Sequence, residues 1–237
     1  MSLQPPISDM YTAPGDIPLT SYRADLHIHT AASPCAATDM TPSAIIAAAH
    51  EAGLDVIAIA DHNTTSNVAA VQAAAIAADA GMTVLPGMEI ASAEEAHILG
   101  IFPDLQSADD AAAEFQGLHP HASSHLDVVA TVALVHSRGG LAIAAHVDRG
   151  AFSVLSQLGH FPREARFDGV EVSRRIPSGA SQLERYAAFG LPLVGSSDSH
   201  FLDEIGTMHT ELVLAEPSHT ELMLAFAGKR GRSVSRA

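Results

Sequence analysis

The sequence predicts an α/β protein built on a largely parallel sheet, and three observations point to it. Apolar runs rich in Ile, Val and Leu recur along the chain, and Ala-rich segments with helical spacing separate them. The 237 residues, 47% of them apolar, suffice for a substantial core in one large domain or two small ones. No internal repeat or low-complexity linker divides the chain, so a single domain over 21–228 is expected.

The apolar runs Tyr22–Ile28, Asp55–Ala60, Thr83–Pro86, Ala96–Phe102, Leu141–Ala145, Gly169–Val172, Leu191–Gly195 and Thr210–Leu214 read as strands. Thr41-Pro42 reads as an N-cap followed by proline in the first helical position, opening a helix to about Ala52 that stops at Gly53. Further helices are predicted over Ser66–Ala80, Ser124–Arg138, Phe152–Leu158, Ser181–Phe189 and Ser218–Ala227. Pro103 to His125 is polar and punctuated by Gly and Pro, which breaks the alternation and reads as a long inserted loop. Its histidines, His119, His121 and His125, are left out of the expected site. Residues 1–20, with four of the 13 prolines, read as a poorly ordered lead-in, and the basic stretch 229–237 as a solvated tail.

Charge and composition narrow the function classes. Twelve Lys and Arg against 27 Asp and Glu give a net charge of −15, which argues against duplex nucleic acid as a partner. No run resembles a signal peptide or reaches the length of a bilayer span, and the single cysteine, Cys35, cannot form an internal disulfide. A cytoplasmic protein with no membrane partner is therefore expected. Histidine occurs 14 times, more often than Lys and Arg together, and metal ligation is a common use of imidazole.

In "DLHIHT" the histidines His27 and His29 stand two apart on a predicted strand, so they share a face with their tips close together. Other strands end in comparable groups: Asp61-His62 in "IADHN", Glu89 in "GMEI", His146 in "AAH", Glu171 and Arg174 in "VEVSRR", and Asp198 and His200 in "SSDSH". The strand "HILG" carries His97. In a parallel sheet these strand ends meet at one mouth. Burying so many titratable groups is costly unless cations accompany them, and mixed imidazole and carboxylate donors suit zinc, manganese or iron.

These motifs, in this order, resemble the PHP (polymerase and histidinol phosphatase) phosphoesterase domain over residues 22 to about 215. The resemblance implies a distorted (β/α)7 barrel related to the TIM barrel, with two or three divalent metals at the carboxyl ends of its strands. It implies that His27, His29, Glu89 and Asp198 hold a first metal and that Glu89 bridges to a second on His97 and His146. A third would take His62 and His200, with Asp61 orienting the ligands. Where the family often places an acid or histidine soon after the HxHT motif, this chain has "SPCAATD", so Cys35 or Asp39 is the expected donor there. The eighth predicted strand is surplus to that barrel.

Paired cations activate water for phosphoester hydrolysis without a Ser or Cys nucleophile. Arg149, Arg174 and Arg175 follow predicted strands and are candidate phosphate clamps. Asp148 or a metal-bound histidine is a candidate general acid, and Asp61 and Asp198 are counted with Asp148 as expected catalytic residues. The expected substrate is a small phosphorylated metabolite or nucleotide. A 3′-5′ exonuclease, an amidohydrolase-like enzyme acting on a non-phosphate bond, and a metal-binding protein without activity are the competing readings.

Overall fold

A computed structural model describes residues 18–237, so most of the expected lead-in lies outside the described residues. The strands are β1 (Thr20–Ile28), β2 (Val56–Ile59), β3 (Thr83–Ala91), β4 (His97–Ile101), β5 (Leu141–Ala144), β6 (Gly169–Glu171), β7 (Leu193–Val194), β8 (Thr210–Leu214) and β9 (Ser233–Arg236). They form one sheet in the order β7-β6-β5-β4-β3-β2-β1-β8-β9. The helices are α1 (Pro42–Glu51), α2 (Val68–Ala77), α3 (Leu105–Ala112), α4 (Val128–Ser137), α5 (Val154–Leu158), α6 (Leu183–Ala187) and α7 (His219–Phe226).

The sheet curls until its ends almost meet. Beyond β7 the chain returns to the end of β1, where His29 N donates to Ser199 O at 3.1 Å and Ser199 N donates to His27 O at 3.3 Å. Thr210 Oγ1 bonds both the N–H (3.0 Å) and the carbonyl (2.8 Å) of Gly195, tying β7 to β8. The result is the barrel-like α/β architecture expected from the sequence, with β8 and β9 added beside the first half of β1.

Two strands run against the parallel expectation. β3 and β4 pair antiparallel, as do β4 and β5. Only five residues separate β3 from β4, too few for the crossover that a parallel neighbour needs. The reversal puts the amino end of β4 beside the carboxyl ends of β3 and β5. β8 is likewise antiparallel to β1.

Pairing of β1 with β2 shifts register between Asp25 and Ile28. Ala24 and Leu26 pack in the cluster shared by most strands and α7, whereas Ile28 packs with α1 and α2. Such an irregularity re-aims the side chains beyond it, here those of the two strand-end histidines.

Two segments differ from their predicted character. The inserted stretch 103–125 contains α3, which Asp104 caps by accepting from Ser107 N at 2.8 Å, and its Ala108, Ala111 and Phe115 join the core. The tail is not simply solvated: it forms β9, Arg232 pairs with the largely buried Glu221 (2.8 Å), and Arg236 donates to Val172 O and Ser173 O. Thr41 occupies the predicted N-cap of α1, but its side chain makes no capping bond.

Phe102, fully buried, fills the space beside two glycines. A Cβ on Gly100 would come within 2.9 Å of its ring, and one on Gly140 within 3.1 Å. Phe102→Ala is expected to cost about 3–5 kcal/mol through the cavity it leaves. Chemical denaturation checks this, and an unchanged midpoint would show that the ring is not part of a tightly packed core.

Candidate metal centre

Strand ends deliver the donors to one mouth. His27 and His29 close β1, His62 follows β2, Glu89 lies in β3, His97 opens the reversed β4, His146 follows β5, and Asp198 and His200 follow β7. Three of the residues there have left-handed backbones, Asn63 (φ 53°), His146 (φ 27°) and Asp198 (φ 50°). Side chains other than glycine rarely adopt this region, and such strain concentrates at functional sites.

Glu89, 1% exposed, is the hub. Its Oε2 lies 3.4 Å from Nε2 of both His27 and His29 and 3.0 Å from His62 Nδ1. Its Oε1 lies 2.7 Å from His97 Nδ1 and 3.1 Å from His146 Nε2. Asp198 Oδ1 completes one side, 3.5 Å from His27 Nε2 and 3.3 Å from His29 Nε2.

Supporting bonds aim these donors. Glu171 takes His27 Nδ1 at 3.1 Å and accepts from His146 N at 2.9 Å, which turns His27 Nε2 toward the mouth. Asp61 accepts from Thr30 N (2.8 Å), Thr30 Oγ1 (2.7 Å) and Ser33 Oγ (2.6 Å), while Ser33 Oγ lies 3.1 Å from His29 Nδ1. Asp25, buried beneath, accepts from Ser197 N and Gly206 N, both at 3.0 Å. Its burial lifts its pKa to about 6 against those hydrogen bonds.

The charges here are tightly interlocked. Burial opposes protonation of His27, yet Glu171, Glu89 and Asp198 outweigh it and raise its pKa well above the usual value. His29 is likewise disfavoured by burial but lifted to about 9 by Asp198 and Glu89. Burial would raise Glu89, but His97, His27 and His62 hold it well below the usual carboxylate range. Asp198 is depressed by His27 and His29 in the same way. His200, next to His29, falls to about 4 through burial and that neighbour.

The donor chemistry fits divalent cations. Nε2 of His27 and Nε2 of His29 face each other at 3.1 Å with two carboxylates alongside, a set that needs positive charge at its centre. Among the described residues, the groups His27/His29/Glu89, His62/Glu89/His97, His29/His62/His200 and Cys35/His62/His121 each keep their donor atoms within 4.8 Å of one another. His146 Nδ1 is buried without a partner.

Not every predicted site residue reaches this cluster. Arg149 does: its Nη2 lies 2.5 Å from Asp198 Oδ2, and it lines the mouth cavity of about 340 Å³. Arg174 turns away to pair with Glu204, and Arg175 is exposed and outside the cavity lining. Asp148 is engaged by Ser173, accepting from its N–H (2.7 Å) and its hydroxyl (2.5 Å). Asp39 is exposed and joins none of the close donor groups, whereas Cys35 joins one. Proximity to a strand end in sequence did not fix where these side chains point.

His121 is an addition, since sequence reasoning set it aside with its loop, whereas Glu171 was placed among the strand ends at the mouth without a ligand or catalytic role. The histidine-rich "HPHASSH" was the available signal for the first.

The raised pKa of His29 fixes a sign for the metal-free protein. Its protonation contributes stability that is fully present below 6.5 and is lost as pH rises through about 9. The melting temperature of chelated protein should therefore fall across pH 6.5–9, and bound cations should flatten the fall. A chelated profile level over that window would contradict the interlocked charges.

Comparison with known proteins follows the geometry. The sequence matches the PHP domain family over residues 25–201 and a PHP-associated family over 183–232. No curated protein matches significantly. The fold resembles Endonuclease Q, a lesion-specific endonuclease from Pyrococcus furiosus, with a TM-score of 0.72 and 17% identity over 91% of this chain. A complex of Endonuclease Q with a 27-mer duplex carrying an abasic lesion gives a TM-score of 0.70 at 17% identity over 90% of this chain. This chain spans 58% of the length of that endonuclease in both. A protein from Bifidobacterium adolescentis, assigned as a metal-dependent phosphoesterase, aligns with a TM-score of 0.54 and 21% identity over 75% of this chain and 87% of its own. Since the family match runs from Asp25, just before the HxH pair, to the residue after the last histidine of the mouth, three quarters of the sequence, the chain belongs to the PHP domain family.

Proposed function

We propose that the protein is a metal-dependent phosphoesterase that hydrolyses a small phosphorylated metabolite or nucleotide. The observation that carries this reading is the Glu89 carboxylate, one oxygen facing His27, His29 and His62 and the other facing His97 and His146. That disposition suits a bridge between two cations. His27, His29 and Asp198 would share the first with Glu89; His97 and His146 would share the second; His62 and His200 are donors for a third. Such ions, zinc, manganese or iron, would bring a shared water to a pKa near about 7 and neutralise phosphoryl oxygens.

The chain supplies the rest. Glu171 holds His27, and Asp61 acts through Ser33 on His29, so both imidazoles keep Nε2 directed at the mouth. Arg149, beside Asp198, is the guanidinium available to meet a phosphate oxygen pair. A cavity of about 340 Å³ and a net charge of −15 favour a compact substrate.

The likeness to Endonuclease Q supports a second reading, a phosphodiesterase acting on duplex DNA. It weakens the charge-based expectation against nucleic acid, because cations at the mouth reverse the local field.

One experiment separates these readings. Protein loaded with Mn²⁺ or Zn²⁺ is offered p-nitrophenyl phosphate, a panel of sugar, amino-acid and nucleotide phosphates, and duplex DNA with an abasic site. Turnover of a small monoester is expected, abolished by chelation and lowered about a hundredfold to a thousandfold by Glu89→Gln. Incision of the duplex without turnover of small esters would establish the second reading, and no turnover by metal-replete protein would overturn both.

Arginine truncation distinguishes the clamp. Arg149→Ala should raise KM about tenfold or more, while Arg174→Ala, which breaks a partly exposed pair with Glu204 and a bond to Thr207 Oγ1, should stay within about twofold. Equal effects would remove Arg149 from its role.

A further inference from the structure

Phe152 stands where packing gives it no purpose. It is 47% exposed, belongs to none of the three apolar clusters, and carries a left-handed backbone (φ 60°). That conformation is costly for an aromatic residue and concentrates at functional sites. Phe152 precedes Ser153, the N-cap of α5, where an apolar side chain commonly packs against the fourth helical residue. Here that residue is Gln157, so no such staple accounts for the ring.

The backbone around Phe152 is held from both sides. Its carbonyl accepts from His97 N at 2.8 Å, at the amino end of β4. Next to it, Ser153 and Ser156 each accept from the other's backbone N–H at 3.1 Å, and Ser153 Oγ donates to Arg149 O at 2.8 Å. The ring lies nearly flat on the His97 imidazole, with centroids 5.0 Å apart and planes inclined by 19°. It lines the same cavity as Glu89 and Asp198. A fixed aromatic surface therefore borders the metal centre, one face given to His97 and the remainder open.

We infer that Phe152 is a stacking platform for a nucleobase of the substrate. Arg149, three residues earlier in the same turn, lines the cavity too, and its Nε is buried without a partner. A turn with a guanidinium at one end and an open aromatic ring at the other suits a ligand that is anionic at one end and flat at the other. Phenylalanine offers no hydrogen bond to sugar hydroxyls, whereas every base has a π-face to lay on the ring. The base can belong to a free nucleotide or to a residue of a strand. For the fate of the phosphate the inference rests on the phosphoesterase reading; for the base it rests on Phe152 alone.

The chain contains no tryptophan, so Phe152→Trp places a sole indole emitter on the platform. The Zn²⁺-loaded variant is titrated with adenosine 5′-monophosphate, a short single-stranded oligonucleotide and ribose 5-phosphate. Saturable quenching by a base-bearing ligand and none by ribose 5-phosphate is expected. Quenching by the mononucleotide assigns a free nucleotide, and quenching by the oligonucleotide alone assigns a base within a strand. Quenching by neither, or equally by ribose 5-phosphate, would overturn the inference. In steady-state kinetics, Phe152→Ala should lower the ratio of kcat/KM for adenosine 5′-monophosphate to that for ribose 5-phosphate about tenfold to a hundredfold. Its metal content checks that His97 is undisturbed. An equal loss on both esters would show that the ring only supports His97. Should neither ester be hydrolysed, the phosphoesterase reading fails while the titration still decides the platform; should ribose 5-phosphate be hydrolysed and no base quench, the reading stands and the platform falls.

Discussion

A single buried carboxylate governs the architecture. Glu89 is almost wholly removed from water and has five imidazoles around its two oxygens. An ionised carboxyl in that position is tolerated only with compensating positive charge, whether as protons on the histidines or as cations in their place. The carboxylates of Asp198 and Glu171 extend the same requirement outward. Each element that meets the mouth is therefore constrained by where its donor must stand relative to Glu89.

The barrel meets this constraint by departing from regularity at particular places. The β1–β2 register shift re-aims the two histidines of the first strand. The reversal of β4 carries His97 to the mouth from the strand's amino end, where a parallel strand would have placed it on the far side. The bridge from Ser199 back to Ile28 closes the ring beside Asp198. His146 and Asp198 accept left-handed backbones, each at a cost of order 1–3 kcal/mol, and the buried packing around them holds that conformation.

Much of this was legible before any coordinates. The HxH pair, the DH dipeptide and the SSDSH stretch stood at the ends of apolar runs, and runs of Ile and Val mark buried strands because β-branched side chains pack well on a pleat. The antiparallel β4 was within reach too, since the predicted strands Thr83–Pro86 and Ala96–Phe102 leave too few residues between them for a parallel crossover, but a repeating pattern of strand and helix invites parallel extrapolation. Helix α3 was hidden because "LQSADDAA" turns only small alanines, Ala108 and Ala111, toward the core, so its one-sided pattern lacks the large apolar residues that mark a buried face. The basic tail hid β9: Arg232 and Arg236 read as solvated charge, whereas one pairs with Glu221 and the other caps carbonyls beyond β6. Direction of side chains was least accessible. Arg149, Arg174 and Arg175 look equivalent in sequence, and only local turns decide that the first meets Asp198 and the second Glu204.

The pairing of Arg149 with Asp198 links metal and substrate on the proposed reading. Without cations, Asp198 needs its neighbouring guanidinium and histidines for neutralisation, so Arg149 is spent inside the protein. With Glu89, Asp198 and Glu171 offset by protonated His27 and His29 and by Arg149, the mouth of an acidic chain then presents little net positive charge to a phosphate. Once cations neutralise Asp198, Arg149 has no further demand on it from that carboxylate and can turn its donors to an incoming anion. Substrate affinity and metal occupancy thus become one linked equilibrium, in which the side chains that hold the ions also set the charge that the substrate meets.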